Sequence, residues 1–273
     1  MPDLLLDPSV PSSPQRNVLS TPSNAHQPGD AFAFLRALDT CFLIDDSVSM
    51  KSYWEEVMAL VRAVMPFCTA QDADGVDILF GNHTAAGSLF GDVLRAGYRH
   101  IGLLTGHPEM HDSVLGIFND VKPTGRHRIT SRLLDLLGAY MSRYRRDAGG
   151  PGPTKPLNVI VVTAQPLSSR IPEGIRHIAK ELDRLEAPPW QLGVQFFRVG
   201  DDDEAARQMG LLDDVLHSEN GVRDIVDTST WTDGPGKLSP EGVLKVLGGA
   251  TWREVDRMEL DELRMPDVPR GAW

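Results

Sequence analysis

The stretch "NVIVVT" (Asn158–Thr163) is apolar almost without a break and rich in β-branched residues. A strand with one wet face alternates apolar and polar side chains. A continuous run marks a strand covered on both faces, as in a parallel sheet layered between helices. "VQFFRV" (Val194–Val199) reads the same way. Working outward, apolar strand-like segments occur at Thr40–Ile44, Val76–Phe80, Leu157–Thr163, Leu192–Val199 and Ile225–Asp227, with a weaker one at His100–Leu104. Between them lie stretches in which apolar residues recur at three and four, such as Val57, Leu60, Val61 and Val64. They predict helices over Tyr53–Cys68, Glu109–Val121, Ser131–Arg146, Pro172–Glu186, Asp203–His217 and Pro240–Met258. The alternation predicts an α/β fold with a doubly wound, mainly parallel six-stranded sheet and helices on both faces. In such sheets ligands bind beyond the C-terminal ends of the strands, where the strand order reverses.

The chain has 273 residues, an apolar fraction of 41% and a formal net charge of −11, from 38 acidic and 27 basic residues. That is enough for one large α/β domain or two small ones. The acidic balance argues against nucleic acid or an anionic membrane as the main partner. Cys41 and Cys68 make no disulfide framework and read as small buried hydrophobes. Residues 1–32 are rich in Pro, Ser, Asn and Gln and are expected to form a disordered tail. The "LSTPSN" and "PSSPQR" segments there offer Ser/Thr-Pro dipeptides to proline-directed kinases. The folded domain is expected over 33–260, followed by a tail over 261–273. No basic leader and no run of roughly 20 apolar residues is present, so the expected location is cytoplasmic.

The first strand ends in "FLIDDSVSM" (Phe42–Met50). One carboxylate, Asp45, is followed at alternate positions by two hydroxyls, Ser47 and Ser49, where the fold presents ligands. Oxygen donors of this kind suit a hard cation such as Mg²⁺. The plainer alternative is a turn held by its own side-chain hydrogen bonds, which also cap the helix that follows.

"FLIDDSVSM" resembles the D-x-S-x-S motif of the von Willebrand factor A domain, and "DADGVDILFGN", "GIFNDVKP", "KPLNVIVVTAQP", "LDRLEAPPWQLGVQFFRVGDD" and "HSENGVRDIVDT" look like segments of the fungal proteins that carry this domain. The resemblance runs from about Phe34 to Val255. It implies a doubly wound α/β fold, a metal-ion-dependent adhesion site, and a partner whose carboxylate docks at the ion. The family adds a Thr ligand from the loop before the fourth strand and an Asp just after that strand. In register, His127 stands at the Thr, with Ile129 and Thr130 on the next Thr and Gly; Ala164 stands at the Asp and Gln165 at the Gly. Asp45, Ser47 and Ser49 remain, and one carboxylate with two hydroxyls holds Mg²⁺ weakly at best. Thr124 lies upstream of the ligand position, and "TDG" (Thr232–Gly234) falls past the last strand. Arg126, His127 and Arg128 place positive charge on the rim, where an anionic partner can bind without a metal.

Other constellations read more plainly. His107 and His111 in "GHPEMHD" lack the H-E-x-x-H order of a zinc helix. Arg143, Arg145 and Arg146 suit a helix C-terminus, and Asp201–Asp203 suit a helix start. No P-loop, nucleophile elbow or dinucleotide fingerprint is present. The expectation is a non-catalytic module that binds an unidentified protein partner through a degenerate metal site. Its alternatives are a Mg²⁺-dependent binding domain using Asp45, Ser47 and Ser49, and a metal-dependent hydrolase.

Overall fold

The computed structural model describes residues 32–72, 75–85, 97–101, 110–147, 154–218 and 222–251. The expected N-terminal and C-terminal tails and the His107/His111 pair lie outside the described residues or their described side chains.

Six strands form one sheet: β1 (Asp39–Ile44), β2 (Val76–Phe80), β3 (Tyr98–Ile101), β4 (Leu157–Thr163), β5 (Leu192–Arg198) and β6 (Val226–Ser229). Their order is β3-β2-β1-β4-β5-β6, and every pairing is parallel except β2 with β3. The continuous apolar runs are the central strands, as the sequence predicts: β4 is buried at all seven positions. Among the described residues six α-helices accompany them, the last following β6: α1 (Trp54–Gln71), α2 (Met110–Asp120), α3 (Ile129–Asp147), α4 (Arg170–Arg184), α5 (Asp203–Ser218) and α6 (Pro240–Gly248). Among the described residues, no helix is long and apolar enough to cross a membrane.

The strand period of two sorts the side chains onto two faces. Leu43, Val159, Val161, Val194 and Phe196 pack on one face against Leu133, Leu137, Ile171, Ile175 and Met209 of α3, α4 and α5. Phe42, Ile44, Ile160 and Phe80 point to the other. There Trp54 of α1 lies against Phe80 and Phe118, and Asn158 Nδ2 donates to Leu247 O of α6 at 2.8 Å. Cys41 and Cys68 are buried, and burial pushes both thiols up beyond any ordinary titration range.

Three expectations need correction. The weak strand lies at Tyr98–Ile101 rather than His100–Leu104, and it runs antiparallel. It is a short, polar edge whose position is set by pairing of Val76 with Ile101 and Ile78 with Tyr98, not by its own pattern. The first helix is preceded by a 3-10 turn, Val48–Tyr53, which brings the polar turn round into the helix axis. The last helix ends at Gly248, and its C-cap Gly249 passes so close to β6 that a Cβ there would lie 1.8 Å from Asp227 Oδ2. Its start follows from sequence chemistry: Ser239 Oγ accepts from Gly242 N at 3.1 Å, with Pro240 at the first position.

Candidate functional site

In this strand order the chain leaves β1 toward β2 on one side and leaves β4 toward β5 on the other. The switch point is therefore between β1 and β4, and Asp45 stands there, one residue beyond β1. Its carboxylate is completely buried. Oδ1 accepts the Ser47 N–H at 3.0 Å, closing the turn on itself. Oδ2 accepts from Thr163 Oγ1 at 2.8 Å and faces His127 Nδ1 at 2.7 Å. Because an ionised carboxylate can only accept, His127 Nδ1 carries the proton. Burial pushes the Asp45 carboxyl up, but the His127 imidazole and the bonds from Ser47 outweigh it and hold the pKa below the ordinary aspartate value.

The two hydroxyls turn toward each other: Ser47 Oγ and Ser49 Oγ are 2.9 Å apart. Ser47 occupies the N-cap of the 3-10 turn without making a side-chain cap bond, so the expected hydrogen-bonded turn is held by Asp45 and not by the serines. Ala164 is buried and brings no oxygen from its side chain. Its N–H faces Met50 Sδ at 3.3 Å.

His127 is delivered by a loop fastened at several points. Thr124 N donates to Asp46 O at 2.7 Å, and Val48 N donates to Gly125 O at 3.1 Å. Asn82 Nδ2 donates to the carbonyls of Thr124 and Arg126 at 3.1 and 2.9 Å. Gly125 has φ +73°, a left-handed conformation that suits glycine, and a Cβ there would press on the Asn82 amide at 3.1 Å. Arg126 and Arg128 are exposed on this loop, as is Thr124; Thr124 reaches the motif through its backbone. Val48, between the two serines, is 54% exposed.

Sequence reasoning missed three residues of this arrangement. Thr163, the last residue of β4, lies beside Asp45 because Ile44 pairs with Val162 one step earlier. Asp46 is as buried as Asp45, and its carboxylate accepts from Asn82 N at 2.7 Å and His83 N at 2.8 Å. Asn82 ties Asp46 to the His127 loop. The legible signal was the acidic pair itself: two carboxylates at the end of a buried strand both need donors.

Elsewhere the plain readings of the charged runs fit the geometry. Asp202 Oδ1 accepts from Ala205 N at 2.7 Å at the start of α5. Arg145 pairs with Glu181 and Arg143 with Asp147. Thr232, in the Thr232–Gly234 segment after β6, accepts from Ser239 N at 2.7 Å, far from the motif in the chain. Among the described residues, no three His, Cys, Asp or Glu side chains gather as a metal-binding group.

The chain is similar to the solved N-terminal domain of TFIIH p34, with 8% sequence identity over 78% of this chain and 99% of that one and a TM-score of 0.37. No family model matches the chain, and no curated protein does.

Proposed function

We propose that this chain is a non-catalytic protein-binding module of the von Willebrand A type, docking its partner on the rim formed by the ends of β1 and β4. The observation that carries this reading is the division of labour at the switch point. The Asp45 carboxylate and the Ser47, Ser49 and Thr163 hydroxyls are turned toward one another and paired, while Val48, Arg126 and Arg128 stand exposed around them. A hydrolytic reading needs a nucleophile in contact with a base. Here Ser47 Oγ is paired with Ser49 Oγ, and His127 Nε2 finds no hydrogen-bond partner among the described residues. The two guanidinium groups favour a partner segment bearing carboxylates, which Arg meets bidentately.

The test is a binding assay on the full chain with a partner identified by cross-linking. Arg126→Glu combined with Arg128→Glu is expected to lower affinity at least tenfold and chelator to leave it unchanged, with the circular dichroism of the chain unaltered. Binding indifferent to both substitutions would remove the rim from the interaction. Binding abolished by chelator would favour a cation-dependent site at Asp45, Ser47 and Ser49 instead.

A further inference from the structure

The residues around Asp45 disagree with the divalent ion that the resemblance implies, and the disagreement has a specific form. A hard cation needs oxygen lone pairs left open toward it, and Mg²⁺ demands near-octahedral geometry. Asp45 Oδ2 already receives two donors, Thr163 Oγ1 and His127 Nδ1, and Oδ1 receives the Ser47 N–H. Next to Thr163, the Ala164 side chain offers no ligand and its N–H faces the Met50 thioether, a soft group that a hard ion does not seek. Met50 itself is completely buried.

A fully buried carboxylate still requires a partner of positive or proton-donating character. We propose that His127 is the resident substitute for the cation: its Nδ1–H fills the place on Asp45 Oδ2 that an ion would take, so the rim is set without metal and the imidazole keeps metal out. The supporting feature is how the ring is placed. Its loop is fastened to the motif by Thr124 N, Gly125 O and the Asn82 amide, and Asn82 is held in turn by Asp46. The acidic pair thus works as a unit: Asp46 fixes the loop and Asp45 receives the side chain it carries. This inference does not depend on a protein docking at the rim.

The experiment uses the full chain, stripped with EDTA, and Mn²⁺ as the probe ion, followed by the EPR signal of free Mn²⁺ and by thermal melts. The wild type is expected to show no saturable site and no metal-linked rise in melting temperature. His127→Ser combined with Ala164→Asp puts an oxygen where the imidazole was and a second carboxylate beside Asp45. It is expected to gain one Mn²⁺ site at least about tenfold tighter than any wild-type binding, since carboxylate count tunes affinity in such sites. A folded double variant that gains nothing would overturn the proposal. If the double variant does not fold, the wild type decides alone. A saturable wild-type Mn²⁺ site that Asp45→Asn abolishes overturns the proposal. A slowly exchanging His127 Nδ1 proton in the NMR spectrum, unbroadened by Mn²⁺, supports it.

Discussion

Among the described residues four aspartates are buried almost completely, Asp45, Asp46, Asp72 and Asp227, and two of them, Asp45 at the end of β1 and Asp227 within β6, are wired differently. Asp45 receives donors from three separate segments: its own turn, the end of β4 and the His127 loop. Asp227 pairs with the ammonium of Lys245, Nζ at 2.9 Å from Oδ1, carried by α6. Around Asp227 the sheet is polar, where the opposite face places Val194, Phe196 and Val226 in the apolar core. Gln195 is its register partner, and Asn158 on β4 binds the last turn of α6. The close passage of Gly249 seals the region. The difference teaches where each carboxylate spends its interaction energy. Asp45 organises loops at a surface that faces outward. Asp227 fastens one helix to one strand.

The largest effect should come from breaking the second arrangement. Lys245→Met leaves the Asp227 charge buried without its partner and is expected to cost about 3–5 kcal/mol. In urea unfolding this appears as a lower midpoint with unchanged slope. Combining it with Asp227→Leu should restore much of the loss, because a buried ion pair replaced by well-packed apolar residues is often nearly neutral. A single substitution as harmless as the double one would mean that Lys245 does not compensate Asp227.

The first arrangement should break more gently. Asp45→Ala strands the donors of Ser47, Thr163 and His127, and an unsatisfied buried donor costs about 1–3 kcal/mol. His127 is only partly buried, so water can replace part of what is lost there, and the expected cost is below that of Lys245→Met. Comparing the two variants in the same unfolding assay checks the order.

Acid sharpens the contrast by a smaller amount. The Asp45 pKa is lowered in the fold, so its contribution to stability is complete above the unfolded aspartate value and is lost as pH falls through the folded one. Burial alone acts the other way, and His127 is the main group opposing it. In His127→Ala the carboxyl pKa should therefore climb, and the acid loss should begin at higher pH than in wild type. Urea midpoints measured from pH 7 downward would show it; superimposable profiles would mean the imidazole does not set the Asp45 pKa.

How much of this was legible follows from what each element depends on. β1, β4 and β5 were readable because burial on both faces writes itself into a continuous apolar run. β3 was misplaced because an edge strand takes its position from its neighbour, and "YRHI" carries no pattern of its own. Asp45 was legible because a carboxylate closing an apolar run is conspicuous. Its partner Thr163 was not, since a threonine ending a strand is ordinary, and only the β1–β4 register makes it a donor. Asp227 was hidden for the same reason: "IVDT" gives no sign that a lysine on the next helix folds back on it. Contacts between distant segments are set by register and helix placement, which composition and periodicity do not encode.

The smallest stability effect is expected where the largest functional one is. Arg126 and Arg128 are exposed, and their backbone carbonyls, not their guanidinium groups, take part in holding the loop: Arg126 O accepts from Asn82 Nδ2, and Arg128 O from Ser131 Oγ at 3.0 Å. Side-chain substitutions there leave those bonds in place. Arg126→Glu with Arg128→Glu should change unfolding free energy by no more than about 0.5 kcal/mol, the usual range for surface positions. A larger loss would show that the guanidinium groups help to keep the His127 loop closed on Asp45. Arginines that prove dispensable for stability have no structural duty at the rim, which leaves recognition as the work their exposure allows.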